Sequence, residues 1–440
     1  MASWIAIESL NPFASRGSSD AAAPPRAVEE ELVERGPIDV VLVLVVSALV
    51  SIGLLAVYSG SALKSYFLST NGDDLIYFRN QMTGAVLGSI GMIVTSRIDY
   101  SVYRRFVYAF LAAAIGLLLL TAVPGFAVTV NGATRWIQFA GVRFQPAEFA
   151  KIVAVMYLAY SIAKKGPAMR NFVESFVGHG LVFGVFALLL MKQPDFGSTV
   201  VILTMVGVML FVGGAKVSFL VAFAAGGLVA IYAAVQGASY RMSRVTAWMD
   251  PWADAGESGY QLVNSYVALA SGGITGTGFG SGRGWLGYLP ELYNDFVGAA
   301  IGEEFGLIGM GTIALLYVLF LWRGLTIALR ARDRFGFLLA FGLTTLITLQ
   351  ATINLCVVTG LLPTKGLTLP FVSYGRSSLI LLLLAVGILL NIGQANPDLH
   401  RERCDARAER EERASRARKE ERVATRRRRR ARRQAERHGS

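Results

Sequence analysis

The residues of this chain best suited to chemistry lie where long apolar runs are interrupted. Pro146-Ala147-Glu148-Phe149-Ala150-Lys151 opens one such run. Proline suits the first turn of a helix, and the i, i+3 spacing projects Glu148 and Lys151 from one face. Ionisable groups in an apolar helix are costly and mark a water-accessible cavity, unless their long side chains snorkel to an interface. Asp295 closes the segment Leu289-Pro290-Glu291-Leu292-Tyr293-Asn294-Asp295, where a loop enters another apolar run. That position suits a general base and a helix N-cap equally. Glu303 and Glu304 stand near the start of the same run. A third segment, Leu361 to Ser378, carries Pro363, Gly366, Pro370, Gly375 and several hydroxyls, Ser373 among them, ahead of a helix. It is expected to form a re-entrant or interfacial turn beside the same cavity as Asp295, with plain packing as the alternative. The glycine-rich run from Ser271 to Trp285 has backbone amides that suit a phosphate or a sugar, although flexible loops share its composition.

Other chemistries are excluded by what is missing. Cys356 lies in an apolar run and Cys404 near the C-terminus, so neither a disulfide framework nor a thiolate metal site is expected. His179, His400 and His438 are too scattered for a histidine cluster. The net charge of +12 belongs to the end of the chain, because residues 401–440 hold 17 Arg or Lys against 8 Asp or Glu. No nucleic acid is implied.

The elements that position these residues are membrane helices. Of the 440 residues, 54% are apolar and 16% charged, outside the usual soluble range. Apolar stretches long enough to cross about 30 Å of hydrocarbon recur near 38–62, 78–96, 105–123, 146–163, 175–191, 197–213, 217–236, 296–322, 335–360 and 377–394. The predicted fold is therefore all-α and polytopic, with about ten transmembrane helices. Residues 1–36 read as a disordered cytoplasmic leader and 397–440 as an Arg-rich cytoplasmic tail. Arg97, Arg104, Arg105, Lys164, Lys165, Arg170, Lys216, Arg323, Arg330, Arg332 and Arg334 crowd alternate short connections, which places those connections and both termini inside. The longest connection, 237–295, is then external and is expected to be functional. The tail is read as a solvated helical segment, with attachment to anionic headgroups or an acidic partner as the alternative.

The ordered set Asn131-Gly132-Ala133 with Arg135-Trp136, Phe144-Gln145-Pro146 with Glu148 and Lys151, Gln193-Pro194-Asp195-Phe196-Gly197, Asp250-Pro251-Trp252, Ser271-Gly272-Gly273, Leu289-Pro290-Glu291, Asp295-Phe296, Gly302-Glu303-Glu304 with Gly306, and Leu369-Pro370 with Ser373-Tyr374-Gly375 resembles the SEDS family (shape, elongation, division and sporulation). The likeness spans about residues 37–396. Pro363-Thr364-Lys365-Gly366-Leu367-Thr368-Leu369-Pro370 is closer to the division and sporulation branch than to the elongation branch.

This resemblance implies an inverting glycosyltransferase that polymerises lipid II, the lipid-linked disaccharide-peptide precursor of peptidoglycan, during cell division. It implies that Asp295 is the catalytic carboxylate, with Glu148 and Lys151 in the central cavity beside it. Lys151, Arg135 and Arg241 are the cations for the leaving diphosphate, and Glu304 and Ser373 complete the expected substrate contacts. The ligand count demands no metal, and a divalent ion such as Mg or Mn on the diphosphate is compatible with it. The implied partners are a class B penicillin-binding protein acting as transpeptidase, other membrane proteins of the division machinery, and membrane lipids. The implied location is the bacterial plasma membrane, enriched at the division site. A lipid II transporter and a weakly active scaffold for a transpeptidase are alternatives that the same cavity suits. Three positions depart from the family pattern: Tyr293-Asn294 replaces the usual His-Thr, Trp285 a common Lys, and Arg376 the second glycine of Ser-Tyr-Gly-Gly-Ser.

Overall fold

The computed structural model describes residues 36–68, 73–123, 125–130, 133–139, 142–282 and 293–395. The leader, the tail, Trp285 and Leu289-Pro290-Glu291 lie outside the described residues. The chain runs α1 (Val40–Leu68), α2 (Ile76–Arg97), α3 (Ser101–Arg105) and α4 (Val107–Leu120), then β1 (Ala127–Val130), β2 (Ala133–Phe139) and β3 (Val142–Phe144). It continues through α5 (Pro146–Lys165), α6 (Gly178–Lys192), α7 (Phe196–Val212), α8 (Val217–Gln236), α9 (Ser239–Met249), α10 (Tyr260–Gly272), α11 (Val297–Leu329), α12 (Arg334–Val358) and α13 (Arg376–Gln394). Each of the expected apolar stretches is thus a helix. Among the described residues, 7 helical segments are long and apolar enough to cross a membrane: α1, α5, α6 with the turn before it, α8, α11, α12 and α13. The apolar α4 and α7 are shorter, and α2 is broken up by Arg79, Asn80, Gln81 and Arg97.

Between helices in lipid there is no hydrophobic drive, so close contact and polar bonds must hold the bundle. The packing of α2 on α13 shows both. Gly84, Gly88 and Gly91 of α2 face Arg376, Leu383 and Leu384 of α13 so closely that a Cβ would crowd each of them. Thr95 Oγ1 donates to the Leu384 carbonyl at 3.0 Å, and Asn391 Nδ2 to that of Ser96 at 3.0 Å. In α5, Pro146 fills the first turn, Glu148 complements the helix N-terminus, Lys164 and Lys165 the C-terminus, and Gly166 ends the helix with φ 53°. Most of α5 is buried, whereas no residue of α8 is.

The helical membrane architecture expected from the sequence is present, and it carries in addition a small three-stranded antiparallel sheet in the order β1-β2-β3, with Val128 opposite Trp136 and Gln138 opposite Arg143. Alternating β-branched and aromatic residues favour strands there, and Asn131-Gly132 is a strong hairpin signal in the sequence. The long 237–295 connection contains α9 and α10. Trp248 Nε1 donates to the Gly360 carbonyl at 2.8 Å and Ser265 Oγ to that of Val358 at 2.8 Å, which ties both helices to the end of α12.

The glycine-rich run plays a structural part. Helix α11 breaks at Gly306, with φ 63° and ψ −157°. The carbonyls of Glu303 and Glu304 accept from the amides of Thr277 (2.9 Å) and Gly278 (3.0 Å), and the amides of Leu307 and Ile308 donate to Gly273 (3.0 Å) and Ile274 (3.2 Å). Residues 273–278 form a strap seated in the break, and a Cβ at Gly272 or Gly276 would overlap the backbone of α11.

One end of the bundle gathers the short basic connections. There Arg323 pairs with Asp39 at 2.6 Å, Tyr100 donates to Asp333 at 2.8 Å, and Arg334 reaches the Gly213 carbonyl at 3.1 Å. The Gly36 amide donates to the Gln394 carbonyl at 2.9 Å, so the first and last described residues share this end. The opposite end carries the sheet, α9, α10 and the 359–375 crossover.

Candidate active site

At that opposite end, four segments converge on Asp295. Phe296 rather than Asp295 takes the N-cap position of α11, so the carboxylate stands one residue before the cap. Asn354 of α12 donates to the Asp295 carbonyl at 2.9 Å and to the Leu367 carbonyl at 2.7 Å. The Tyr374 amide donates to the Tyr293 carbonyl at 2.8 Å. These bonds bring Asp295 against Gly366: a Cβ there would lie 3.5 Å from Asp295 Oδ2 and 3.3 Å from Arg135 Nη1. A carboxylate and a guanidinium therefore flank one small space.

Arg135 is held by β2 and donates to the carbonyls of Gln193 (3.3 Å) and Pro194. The turn between α6 and α7 that supplies those carbonyls is itself fixed, since Asp195 caps α7 by accepting from the Ser198 amide at 3.1 Å. Arg244, on α9, reaches the Thr364 carbonyl at 3.4 Å. Burial pulls its pKa down, the Asp295 carboxylate pulls it back up, and Arg135 lowers it again. Lys365 lies 5.7 Å over the Phe196 ring, and burial holds its pKa below the ordinary lysine value. The setting is thus one carboxylate with the Arg135 and Arg244 guanidinium groups beside it, suited to an anionic leaving group.

Sequence reasoning selected Arg241 as a site cation, but its guanidinium stacks over Phe196 (5.7 Å) and Tyr240 (5.2 Å) and donates to the Ala234 carbonyl at 2.7 Å. Arg244, three residues on, is the cation that senses Asp295. A helical reading of 239–249 puts the two only about 60° apart around the axis, so periodicity does not say which reaches the site. Lys365 was visible only as part of a motif.

Glu148 and Lys151 do pair, at 2.8 Å, with Lys151 1% and Glu148 7% exposed. Lys151 Nζ also donates to Gln350 Oε1 at 2.6 Å. Gln350 lies one turn from Asn354, about 6 Å along α12, so the pair and the Asp295 backbone are referenced to the same helix. Glu304 lies elsewhere: its carboxylate accepts from Ser59 of α1, and it sits where the strap enters the α11 break. Ser373 Oγ accepts from the Leu369 amide at 2.8 Å and so shapes its own turn. Gln81 of α2 braces that turn by donating to the Ser373 carbonyl at 3.1 Å and accepting from the Gly375 amide at 3.0 Å. Of the unusual positions, Tyr293 packs with Tyr77 (4.9 Å between centroids) and Tyr374 (5.7 Å), and the Arg376 stem lies against Gly84.

Among the described residues no group of three or more His, Cys, Asp or Glu side chains stands together to hold a metal ion. A divalent ion beside Asp295 would draw its other ligands from a substrate diphosphate and water.

The family model FTSW_RODA_SPOVE, described as a cell cycle protein, matches residues 39–397. The chain belongs to the FtsW/RodA/SpoVE family. Its apolar helices and this membership make it an integral membrane protein. A probable peptidoglycan glycosyltransferase FtsW of Geobacter metallireducens is 42% identical over 357 residues, 80% of this chain and 94% of that one. Stage V sporulation protein E of Bacillus subtilis is 39% identical over 358 residues, covering 81% of this chain and 97% of the relative. Among solved structures, one described as "Structural coordination of polymerization and crosslinking by a peptidoglycan synthase complex" matches with TM-score 0.67 and 27% identity, covering 82% of this chain and 98% of that chain. Thermus thermophilus RodA matches with TM-score 0.61, 26% identity and the same coverage, 82% and 98%.

Proposed function

We propose that this FtsW-family protein is a peptidoglycan glycosyltransferase of cell division that polymerises lipid II, with Asp295 as general base. The observation that carries this reading is the convergence of the Asp295 carboxylate and the Arg135 guanidinium on Gly366, with Arg244 in the same electrostatic field. Chain growth joins a sugar hydroxyl to an anomeric carbon that carries a lipid diphosphate. Asp295 removes the hydroxyl proton as the oxygen attacks. The new glycosidic bond forms while the bond to the diphosphate breaks, so one displacement inverts the anomeric centre. Arg135 and Arg244 stabilise the charge that grows on the departing diphosphate, with Lys365 adding positive potential. The buried Glu148–Lys151 pair sets the position of α5 against α12 and keeps a charged, polar floor inside the bundle.

In this reading the site lies outside the cell, both termini are cytoplasmic, and the protein works at the division site. A class B penicillin-binding protein crosslinks the strands, and other division proteins and membrane lipids surround the pair. The family relative in a synthase complex described by polymerization and crosslinking supports such a partnership. The test is glycan formation from purified lipid II by the full chain with its transpeptidase blocked by a β-lactam. Gel-resolved strands are expected. Unextended lipid II, in an assay where a known polymerase works, would sink the enzyme reading in favour of transport or scaffolding.

A further inference from the structure

We propose that Asn354 is a positioning residue of the transfer reaction: its side-chain amide sets the separation between Asp295 and the cation-bearing crossover, while Gln350 one turn earlier seats Lys151 from the same helix. The proposal rests on Asp295 acting as general base. Asn354 is 1% exposed in the interior of α12. Its Nδ2 donates to the carbonyls of Asp295 at 2.9 Å and Leu367 at 2.7 Å. Both partners only accept, so the amide nitrogen must face them, and its two hydrogens are both committed. A buried amide is costly unless bonded, and these bonds leave the helix to join segments 59 residues before and 13 residues after it in sequence.

What the amide joins is the chemistry. Leu367 follows Gly366, the point where Asp295 and Arg135 meet, and Thr364, whose carbonyl holds Arg244. Sliding Leu367 relative to Asp295 therefore changes the distance from the base to Gly366 and to the Thr364 carbonyl that holds Arg244. A displacement of about 1 Å in a reacting geometry can cost roughly a hundredfold in rate. Gln350 Oε1 accepts from Lys151 Nζ at 2.6 Å. Residues i and i+4 share a helix face, so one face of α12 holds both the buried ion pair and the catalytic turn.

The experiment is steady-state polymerisation of lipid II by the full-length protein in lipid vesicles across a pH series, for wild type, Asn354→Ala, Asn354→Asp and Asp295→Asn. The Ala variant is expected to lose kcat by roughly thirty- to a hundredfold with KM within about twofold. The Asp variant discriminates positioning from general structural support. An ionised carboxylate repels both carbonyls, whereas a protonated one donates to one of them, so its rate relative to wild type is expected to rise as pH falls. Asp295, Arg135, Arg244, Lys365, Lys151 and Glu148 are present in both proteins, so a pH-dependent ratio reports the new carboxylate at position 354 together with its effect on those neighbours. A flat ratio across pH, or wild-type kcat in Asn354→Ala, would overturn the proposal. Full polymerisation by Asp295→Asn would instead overturn the general-base reading beneath it.

Discussion

At the scale of single residues, a carboxylate and a guanidinium close on Gly366, with Arg244 held nearby at the Thr364 carbonyl. Arg244→Ala is expected to lower kcat/KM by ten- to a hundredfold, the worth of a charge-assisted hydrogen bond at about 1.5–3 kcal/mol, whereas Arg241→Ala, whose guanidinium is occupied by Phe196, Tyr240 and Ala234, should stay within about threefold. Equal losses in the two would mean that the structure assigns the wrong arginine. Lys365 gives a pH signature. Because burial lowers its pKa, its charge is present at low pH and disappears below the pH at which a free lysine would lose it. The alkaline limb of the rate profile should lie in that lowered range and move upward in Lys365→Arg, since guanidinium stays protonated. An unmoved limb would remove Lys365 from the chemistry. Glu148 and Lys151 stood out in the sequence because ionisable side chains in an apolar helix need a reason, whereas Asp295 suited an N-cap equally and was singled out, with Arg135, through the family resemblance. Asn354 was not singled out, because a lone amide in an apolar helix has no motif; the signal it shares with Gln350 is their i, i+4 spacing.

At the scale of elements, the kinked α11 and its strap depend on glycine. Gly306 has a backbone conformation reserved for that residue, and a Cβ at Gly276 would overlap α11. Gly306→Ala should cost about 1–3 kcal/mol from backbone strain alone, before the displacement of the strap is added, while Gly311→Ala, with nothing within 4 Å of its Cβ, should be tolerated. Thermal unfolding in detergent distinguishes them, and equal melting would contradict the docked strap. The Glu148–Lys151 pair is a second elemental joint. Lys151→Ala leaves a buried carboxylate uncompensated, at about 3–5 kcal/mol, and the double change Glu148→Gln with Lys151→Met should recover part of the loss. The helices themselves were legible because lipid demands long apolar runs. The small sheet had a hairpin signal in Asn131-Gly132 that the long apolar runs on either side overshadowed, and α9 and α10 are short and held by tertiary bonds such as Trp248 to Gly360. The glycine run suited a phosphate or sugar loop and a flexible loop alike, and close approach to a ligand and close approach to a helix require the same absence of a side chain.

At the scale of the whole molecule, the two ends of the bundle differ in kind. One is basic and holds the first and last described residues together; the other holds Asp295, its cations and the sheet. With Cys356 replaced by Ala, an impermeant thiol reagent should label Thr129→Cys, exposed on β1, in intact spheroplasts, and Cys404 only after lysis. The reverse pattern would invert the protein and remove the site from the outer surface. The alternation of basic loops made this polarity readable from sequence, while the packing of α2 on α13, which closes the bundle, depended on glycine faces visible only once the helices are paired. The most direct test of the account compares strand synthesis from purified lipid II by the wild type and by Asp295→Asn of matched thermal stability, with crosslinking blocked. Loss of at least a hundredfold in the variant is expected for removal of a general base; equal strand synthesis by both would place the catalytic carboxylate elsewhere.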